Sequence, residues 1–496
     1  MILRLTAPIC LLTLIAALLP APRAGASSSS REPGGALLQD SLVELEVNRK
    51  QYDYQTPWNR GSGSVHKSGI IVSTSEILTT ADGLSERTLI RVQRGGRGKW
   101  WEATVTWIDY HANLALVGTG EAEFWKGVRP VDFAPKLTSK DDFQIHRWRS
   151  GNMEVRKAEF NQFMSTDAKL SFVQHAQVEL SSEINGVGWG EPVMVGNRFA
   201  GLVTSQTRNL CVATPAPFIR FALDSRKKGT YRGLGYFDFV WQPSENPAVH
   251  QYLGFTGEPR GVVVIEGAHE LGQTNLIRPH DLILEVDGFE IDSQGNYHDP
   301  MYGHLLLENL ATRNHWAGEE VRIKVWREGK SVDVAYRLPK ADFETRLMPD
   351  YLFDQEPEYL IVGGLVFQPL SNQYLRAWGD DWKRRAPFRL NYYNNEAPSK
   401  DRPALVILSS ILPDPYTLGY QDLRLLVVDK LNGKTISRLT DLEEALKSPV
   451  EGFHVIEYMR GDSVRKMVLS ANGTAEATQR VLDRYGISQD RLVRKH

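Results

Sequence analysis

A glycine-rich turn at residues 185–193 is the stretch of this 496-residue chain whose residue types and spacing could do chemistry. It reads Asn-Gly-Val-Gly-Trp-Gly-Glu-Pro-Val and lies between two apolar, strand-like runs, at 178–180 and 193–195. Apolar runs interrupted by closely spaced glycines predict a tight strand–turn–strand corner. The backbone N–H groups of such a corner can converge on one point and bind an oxyanion. The turn is therefore the first candidate for a functional site.

Short strands surround this corner in the sequence. Apolar residues alternate with polar ones from Leu42 onward, and apolar runs recur at 70–72, 77–81 and 114–117 with turn residues between them. No long amphipathic helix is indicated before about Leu223. Many short strands at close spacing are typical of an all-β barrel or sandwich.

Two further modules follow from about Gly235. The first has predicted strands at 261–265, 282–286 and 321–326, a helical pattern at 305–310, and a return strand to 338. The second repeats the order, with strands at 360–367, 425–429, 454–458 and 466–469 and a helix at 439–446. Two modules of like order indicate a duplicated domain type.

Three ordered segments of the first domain resemble the Deg/HtrA serine proteases. Residues 77–84, Ile-Leu-Thr-Thr-Ala-Asp-Gly-Leu, look like the segment that bears the catalytic base, and residues 109–116, ending Asn-Leu-Ala-Leu, look like the segment that bears the orienting carboxylate. The corner at 185–193 is similar to the Asn-Pro-Gly-Asn-Ser-Gly-Gly-Pro-Leu motif that bears the nucleophile. The resemblance extends to the later modules, at residues 235–237, 241–242 and 359–367. It implies a mainly β chain: a trypsin-like double β-barrel followed by two PDZ domains.

The catalytic positions of that family hold the wrong residues for proteolysis in this chain. The base position is Asp82, the acid position is Asn113 and the nucleophile position is Trp189. An indole has no nucleophilic oxygen or sulfur, a carboxylate is a weak base near neutral pH, and a neutral amide does not stabilise an imidazolium. Glu191 also replaces a glycine of the motif. We therefore expect no catalytic residues at these positions and classify the chain as a pseudoprotease.

A rebuilt active site is the alternative, because other polar side chains lie close in sequence to the three segments. These are His66, His111, Ser181 and Ser182. A working site would need nucleophile, base and oxyanion donors within hydrogen-bond reach of one another. The histidines are scattered, so no metal site or cofactor is predicted. Cys211, in an apolar run, is expected to be a buried inert thiol.

Peptide binding is the function that the resemblance leaves intact. PDZ domains bind peptide C-termini by strand addition, and the backbone N–H groups of one loop hold the carboxylate. In the first PDZ domain we assign that loop to Leu253, Gly254 and Phe255, with the reading that Leu253 and Phe255 are only core residues as the alternative. No such loop is evident in the second PDZ domain, which is expected to pack or assemble.

The predicted domain boundaries follow from these patterns and from composition. A positive N-terminus, a short apolar run and Ala24-Gly25-Ala26 predict a signal peptide at 1–26, with an uncleaved membrane anchor as the alternative. The remaining segments are a linker at 27–40, the degenerate protease domain at 41–228, PDZ domains at 229–342 and 343–474, and a polar helical tail at 475–496. The mature protein is expected to be periplasmic or extracellular.

Three functions remain open at this stage. The first is an inactive adaptor, scaffold or chaperone-like protein that binds peptide C-termini or unfolded polypeptides. The second is a serine-type endopeptidase with a non-standard site, and the third is a structural subunit that assembles as a homo-oligomer or with active relatives. Nucleic acid is not an expected partner, since 58 Lys and Arg balance 60 Asp and Glu.

Overall fold

The computed structural model describes residues 39–269, 272–273, 276–459 and 466–495. The predicted signal peptide and most of the predicted linker lie outside these residues. Within them, no helix is both long enough and apolar enough to traverse a bilayer.

The first domain begins with a closed barrel of six strands in the order β1-β2-β3-β6-β5-β4. The strands are β1 Leu42–Tyr52, β2 Arg60–Ile71, β3 Ile77–Thr79, β4 Arg87–Arg94, β5 Trp100–Asp109 and β6 Leu114–Gly118. Strand β1 pairs with both β2 and β4, which closes the ring. Its alternating residues Val43, Leu45 and Val47 are fully buried, so the period-2 pattern in the sequence marks the barrel interior.

A second barrel follows, in the order β11-β8-β9-β10-β13-β12 with β7 at the side of β12. Its strands are β7 Asp132–Phe133, β8 Phe143–Arg149, β9 Asn152–Asp167, β10 Gln174–Ser182, β11 Pro192–Val195, β12 Arg198–Thr207 and β13 Leu210–Pro215. Strand β11 pairs with both β8 and β12 and closes this ring too. Helix α1, Ala216–Lys227, then packs Ile219 and Ala222 into the core between the barrels.

The third unit is a six-stranded sheet in the order β14-β15-β16-β20-β21, with β17 beside β16 and a separate hairpin β18–β19. Its elements are β14 Val240–Pro243, α2 Pro247–Tyr252, β15 Val262–Glu266, β16 Leu282–Val286, β17 Phe289–Glu290, β18 Asn296–Asp299, β19 Gly303–Leu306, β20 Glu320–Arg327 and β21 Lys330–Arg337. The helix that the sequence predicts at 305–310 is instead the end of β19 and a 3-10 turn, Leu307–Ala311.

The fourth unit is an eight-stranded sheet in the order β28-β27-β25-β24-β23-β22-β29, with β26 beside β25. Its strands are β22 Tyr359–Val362, β23 Leu365–Pro369, β24 Val406–Ile411, β25 Leu426–Leu431, β26 Lys434–Thr435, β27 Phe453–Tyr458, β28 Lys466–Ser470 and β29 Arg491–Leu492. Its helices are α3 Asn372–Leu375, α4 Trp382–Arg385, α5 Phe388–Asn391, α6 Leu439–Leu446 and α7 Thr474–Tyr485. Helices α3 to α5 form an insertion between β23 and β24.

The C-terminal segment, predicted as a polar helical tail at 475–496, contributes a strand to this sheet. Helix α7 confirms the predicted helix, but its Ala477 and Val481 are fully buried against a cluster that contains Tyr359 and Val366. Strand β29 then pairs with β22. The polar composition of 475–496 concealed a narrow apolar stripe, which is sufficient for one helix face to pack on a sheet.

Candidate functional site

The glycine-rich corner joins β10 to β11 and is held against its surroundings at several points. Gly190 has φ +90°, and a Cβ there would lie 2.7 Å from the Ser68 carbonyl oxygen. The Ser68 N–H donates to the Trp189 carbonyl at 3.0 Å, and the Gly190 N–H donates to Val203 at 3.1 Å. Only glycine allows this close approach of the backbone. The corner thus has the tight geometry that the sequence predicts.

The N–H groups of the corner are already bound to side chains of the same chain. The N–H groups of Gly188 and Trp189 both donate to one carboxylate oxygen of Glu191, each at 2.8 Å. Those of Gly186 and Val187 donate to the Gln206 side-chain oxygen at 2.8 and 3.2 Å. Glu191 is only 4% exposed. The donors that could stabilise an oxyanion are therefore occupied by a resident anion and a resident amide.

From the sequence, Glu191 is only the residue that replaces a glycine of the motif, and its role as an acceptor was not predicted. The available signal was a carboxylate placed two residues after Trp189, on a turn whose N–H groups converge. A carboxylate accepts such N–H groups with charge-assisted bonds, which are roughly twice as strong as neutral ones. Its short side chain can fold back onto the turn without displacing the strand that follows.

The three family catalytic positions do come together in space. The Asp82 N–H donates to the Asn113 side-chain oxygen at 2.9 Å, and Asn113 is 1% exposed with φ +51°. A Cβ on Gly83 would lie 3.3 Å from the Trp189 ring. The Asp82 carboxylate, however, forms an ion pair with Lys169 at 2.7 Å. The three family positions therefore lie close together, as expected. The side chain at the base position, Asp82, is paired with a lysine instead of with the residue at the acid position.

A second lysine lies beneath the same indole. Lys67 Nζ donates to Thr80 Oγ1 at 2.7 Å and to the Asp82 carbonyl at 2.5 Å, and it lies 5.5 Å from the Trp189 ring centroid. Lys169 Nζ lies 4.8 Å from that ring. Burial lowers the pKa of Lys67 to about 8, against the opposing charges of Asp82 and Glu191. The Thr80 hydroxyl beside Lys67 is fully buried, so this pair does not reach a substrate.

Of the residues considered for a rebuilt site, only His111 lies against another reactive side chain. His111 Nδ1 is 2.9 Å from the Ser171 hydroxyl, and burial lowers the pKa of His111. Ser181 and Ser182 donate elsewhere, to Asn161 at 2.9 Å and to the Lys157 carbonyl at 2.8 Å. His66 is exposed on β2. The predicted candidates therefore do not assemble into one site.

Two other sequence predictions concern groups that could bind metal or react as thiols. Within the described residues, no three His, Cys, Asp or Glu side chains are grouped to hold a metal ion. Cys211 is fully buried in β13, and burial raises its pKa to about 11. This thiol has the environment of a core residue.

The segment that connects the third and fourth units, residues 342–358, covers the barrel face next to the corner. Phe343 stacks on His111 with ring centroids 4.4 Å apart, and Phe353 stacks on Tyr110 at 3.9 Å. Asp354 accepts from the Tyr110 hydroxyl at 2.6 Å and from the Glu86 N–H at 2.9 Å. The connecting segment therefore lies over the residues that immediately precede Asn113.

The predicted carboxylate-binding loop has a different role in the structure. The N–H groups of Leu253, Gly254 and Phe255 donate to the carbonyls of Val249, Gln251 and His250, as the C-terminal end of α2. Leu253 and Phe255 pack beside Val263 and Trp326, in agreement with the alternative reading. Helix α2 was not predicted, and its C-terminal carbonyls take the donors that a peptide carboxylate would need.

The strand at 262–266 is not an exposed edge either, because β14 and β16 pair with its two sides. What remains beside Leu253 is an apolar groove of about 380 Å³, lined by Val249, Tyr252, Val263 and Ile265 among others. An apolar groove therefore lies beside the loop, without the expected carboxylate donors.

A larger cleft lies on the other side of the third unit. It has a volume of about 770 Å³ and extends along residues 236–240, which precede and enter β14, with Phe172 and residues 393–398 as its far wall. A smaller pocket of about 530 Å³ adjoins it, and five residues, Phe172, Arg346, Asp350, Asn394 and Asn395, line both. This cleft could not be predicted from local sequence patterns, because its walls come from three separate units.

Comparison with known proteins identifies the modules of this architecture. Residues 348–492 match the family model of a PDZ domain, which extends into the predicted tail and includes β29. Putative protease Do-like 12, mitochondrial, of Arabidopsis thaliana is 23% identical over 92% of this chain and 87% of its own length. Putative protease Do-like 13 of the same plant is 22% identical over 90% of this chain and 87% of its own.

Solved structures of HtrA-type proteases are also similar to part of this chain. The HtrA-type protease AlgW with a tripeptide is 16% identical, covers 62% of this chain and 95% of its own, and has a TM-score of 0.48. The two closed barrels followed by two sheet-and-helix units confirm the mainly β fold class, a trypsin-like double barrel with PDZ domains. Near-full-length similarity to the Do-like proteases agrees with this architecture, and together they support the assignment of the chain to the Deg/HtrA family.

Proposed function

We propose that this chain is a Deg/HtrA protein that binds polypeptides and does not cleave them. The observation that carries the proposal is the Glu191 carboxylate, which accepts the N–H groups of Gly188 and Trp189. A substrate carbonyl that enters the corner would have to displace a buried anion from those donors. The ion-pair partner of Asp82 among the described residues is Lys169 and not an imidazole, and Trp189 supplies no hydroxyl or thiol nucleophile.

Both parts of the catalytic apparatus are affected, because the triad residues are replaced and the oxyanion donors are bound to Glu191. Loss of the catalytic triad leaves about 10³–10⁴-fold acceleration over water, which comes from the oxyanion hole and substrate binding. Removing one oxyanion donor costs a further 10²–10³-fold. With the Trp189 N–H committed to Glu191, little of that residual acceleration is left.

The test is a combined labelling and turnover experiment on the full chain. Incubation with a fluorophosphonate should give no covalent adduct, and unfolded casein should remain intact over hours at micromolar protein. An active Deg/HtrA protease treated in parallel provides the positive control. Stoichiometric labelling of a serine, or casein cleavage abolished by mutating that serine, would overturn the proposal.

Binding is supported by the PDZ architecture and by the two clefts. A PDZ domain recognises an extended peptide by backbone pairing at a sheet edge. Strand β14 is an edge of its sheet, and the cleft of about 770 Å³ runs along the residues that enter it. Fluorescence anisotropy with a labelled, permanently unfolded polypeptide would measure this binding. No change in anisotropy up to 100 μM protein, as an order-of-magnitude ceiling for weak peptide binding, would contradict it.

A second candidate function is favoured by one observation only. The hydrogen-bonded pair of His111 and Ser171 has the atoms of a base and a nucleophile, and Ser171 lines the pocket of about 530 Å³. The Ser171 hydroxyl also accepts from the Val173 N–H at 3.0 Å, which stabilises the turn. Fluorophosphonate labelling that maps to Ser171 and disappears in Ser171→Ala would establish a rebuilt site.

Export is the remaining part of the proposal. It is supported by the positive, apolar and small-residue segments at 1–26 of the sequence. Sequencing the N-terminus of the protein from its native source would test it. A start after Ala26 supports cleavage by signal peptidase, whereas an intact Met1 contradicts it.

A further inference from the structure

The cleft and its adjoining pocket carry charges of opposite sign. Four carboxylate side chains line the larger cleft and not the smaller pocket: Asp238, Glu266, Glu308 and Glu396. The smaller pocket alone is lined by Lys169, Arg376 and Lys383, with Asp167 as its only carboxylate among the described residues not shared with the cleft. Arg346 and Asp350 line both and balance each other. We name the larger space the acidic chamber and the smaller one the basic chamber.

Three of these cations, Arg346, Arg376 and Lys383, lie against aromatic rings and form no carboxylate ion pair among the described residues, whereas Lys169 is paired with Asp82. The Arg346 guanidinium lies 3.9 Å from the Phe172 ring centroid, and the Lys383 ammonium lies 5.7 Å from the Trp382 ring. Arg376 lies 4.1 Å from the Tyr351 ring and donates to the Asp350 carbonyl at 2.5 Å. Aromatic rings orient a cation but do not neutralise its charge, so these groups remain available to an anion.

The acidic chamber is similarly prepared for a cation. One Glu308 oxygen accepts from the Trp241 indole at 2.7 Å, whereas its other oxygen has no hydrogen-bond partner among the described residues. Burial raises the pKa of Glu308. A nearby positive charge would offset that burial. A free peptide carboxylate, in contrast, would meet mainly acidic side chains in this chamber.

We propose that the continuous cleft binds an internal polypeptide segment with a basic block and an acidic block, the basic residues in the acidic chamber and the acidic residues in the basic chamber. This inference rests on the proposed polypeptide-binding function and adds its selectivity. The two volumes lie within the range of ligand-binding clefts. Complementary charge contributes mainly to specificity, because the wrong pattern places like charges together.

The experiment compares four fluorescein-labelled peptides of 12 residues on the full chain at low salt. Two carry a block of lysines and a block of glutamates joined by glycine and serine, one in each order. The third has the same composition with lysine and glutamate alternating, and the fourth replaces both with serine. We expect one block peptide to bind at least fivefold tighter than the alternating peptide, and the difference to shrink at high salt.

Charge reversal in the basic chamber supplies the matched variants. Lys383→Glu should weaken the preferred block peptide at least fivefold. Arg384→Glu, the next residue of α4, whose side chain is 85% exposed and does not line the pocket, should change its binding by less than twofold. Glu396→Lys should weaken it as well, with Glu328→Lys in the β20–β21 turn as its control. Unchanged thermal unfolding confirms that each variant is folded.

The outcomes separate this inference from the proposed function. Equal binding of block and alternating peptides, with an unfolded client still bound, would overturn the inference and leave the function standing. Equal effects of Lys383→Glu and Arg384→Glu would also overturn it, since the charge would then act without the chamber. Loss of binding to every peptide and to the unfolded client would contradict both.

Discussion

Phe353 lies flat against Tyr110, with ring centroids 3.9 Å apart and planes inclined by only 9°. The two residues belong to different units: Tyr110 follows β5 of the first barrel, and Phe353 is in the connecting segment. Asp354 strengthens the contact through the Tyr110 hydroxyl at 2.6 Å. Glu356, two residues on, pairs with Arg60 at 2.8 Å and Lys50 at 3.1 Å on the same barrel. The segment is therefore fastened to the barrel at several successive positions.

We predict that Phe353→Ala releases part of this segment. An aromatic pair contributes about 0.5–1.5 kcal/mol beyond the area that it buries, so amide exchange at 343–356 should accelerate about three- to tenfold. Hydrogen exchange with mass spectrometry measures this directly. Phe388→Ala, at a phenylalanine that is 81% exposed, is the control and should leave those amides unchanged. Equal protection in both variants would show that the stack does not hold the segment.

Trp189→Ser alone should not restore proteolysis, because Asp82 and Asn113 still provide no base and Glu191 still holds the N–H groups. Even the triple variant Asp82→His, Asn113→Asp, Trp189→Ser should remain slow. Adding Glu191→Gly should raise its kcat/KM by roughly 10²-fold, the value of one oxyanion donor. Casein turnover of the four proteins distinguishes the steps. Turnover by the single variant would reveal another residue acting as base.

The Glu191 carboxylate should also stabilise the fold. Glu191→Ala leaves the Gly188 and Trp189 N–H groups buried without partners, at a cost of about 1–3 kcal/mol for each group. We expect the free energy of unfolding in urea to fall by about 2–5 kcal/mol. Glu191→Gln retains an acceptor oxygen and should lose less. Glu183→Ala, on the exposed side of the same turn, should change stability by under 0.5 kcal/mol.

Lys67 makes stability depend on pH in the alkaline range. Its folded pKa of about 8 lies below the ordinary value of 10.5, so between these limits the unfolded chain holds a proton that the folded chain has lost. The unfolded state then binds more protons, and stability rises with pH. Relative to Lys67→Met, the wild type should gain on the order of 2–4 kcal/mol between pH 7 and pH 10.5. A constant difference between the two proteins across this range would mean that Lys67 is not desolvated.

Peptides with a free C-terminus and their amidated forms should bind with affinities within about twofold of each other. A carboxylate held by free N–H donors would contribute about 1.5–3 kcal/mol, or roughly tenfold or more. The donors at Leu253, Gly254 and Phe255 are committed to α2, however, and the larger cleft is lined by carboxylates. Anisotropy titrations of matched peptide pairs on the full chain test this. A tenfold preference for the acid form would locate unoccupied donors elsewhere.

Local patterns predicted much of the fold because the alternation of apolar and polar residues along a strand shows which of its side chains are buried. The period-2 run of β1 and the amphipathic helix α6, Leu439–Leu446, are examples. Helix α2 was not predicted because its six residues are too few to show a helical period. It begins at Pro247, and the Asn246 side chain caps it by accepting the Ala248 N–H. The pairing of β29 with β22 depends on residues about 130 positions apart, which no local window contains.

The sequence identified the positions that lack the family's catalytic residue types, but it did not identify the side chains that bind the groups at the corner. Motif positions identified Asp82, Asn113 and Trp189 because each lies in a recognisable segment. Lys169 and Gln206 lie on other elements and meet the corner only through the fold. Their partnerships follow from burial: an unpaired carboxylate or N–H group in this interior would be costly, so some partner had to reach it.

The long separation between Tyr110 and the connecting segment has a consequence for synthesis on the ribosome. Tyr110 and Asp354 are 244 residues apart in the chain. At roughly 5–20 residues per second, about 12–50 s pass before the segment that covers Tyr110 and His111 has been made. Throughout that interval the finished first barrel presents these rings to water, next to Phe172. The nascent chain thus exposes an aromatic surface that favours association with other chains. Truncated versions that end before residue 342 would expose this surface permanently.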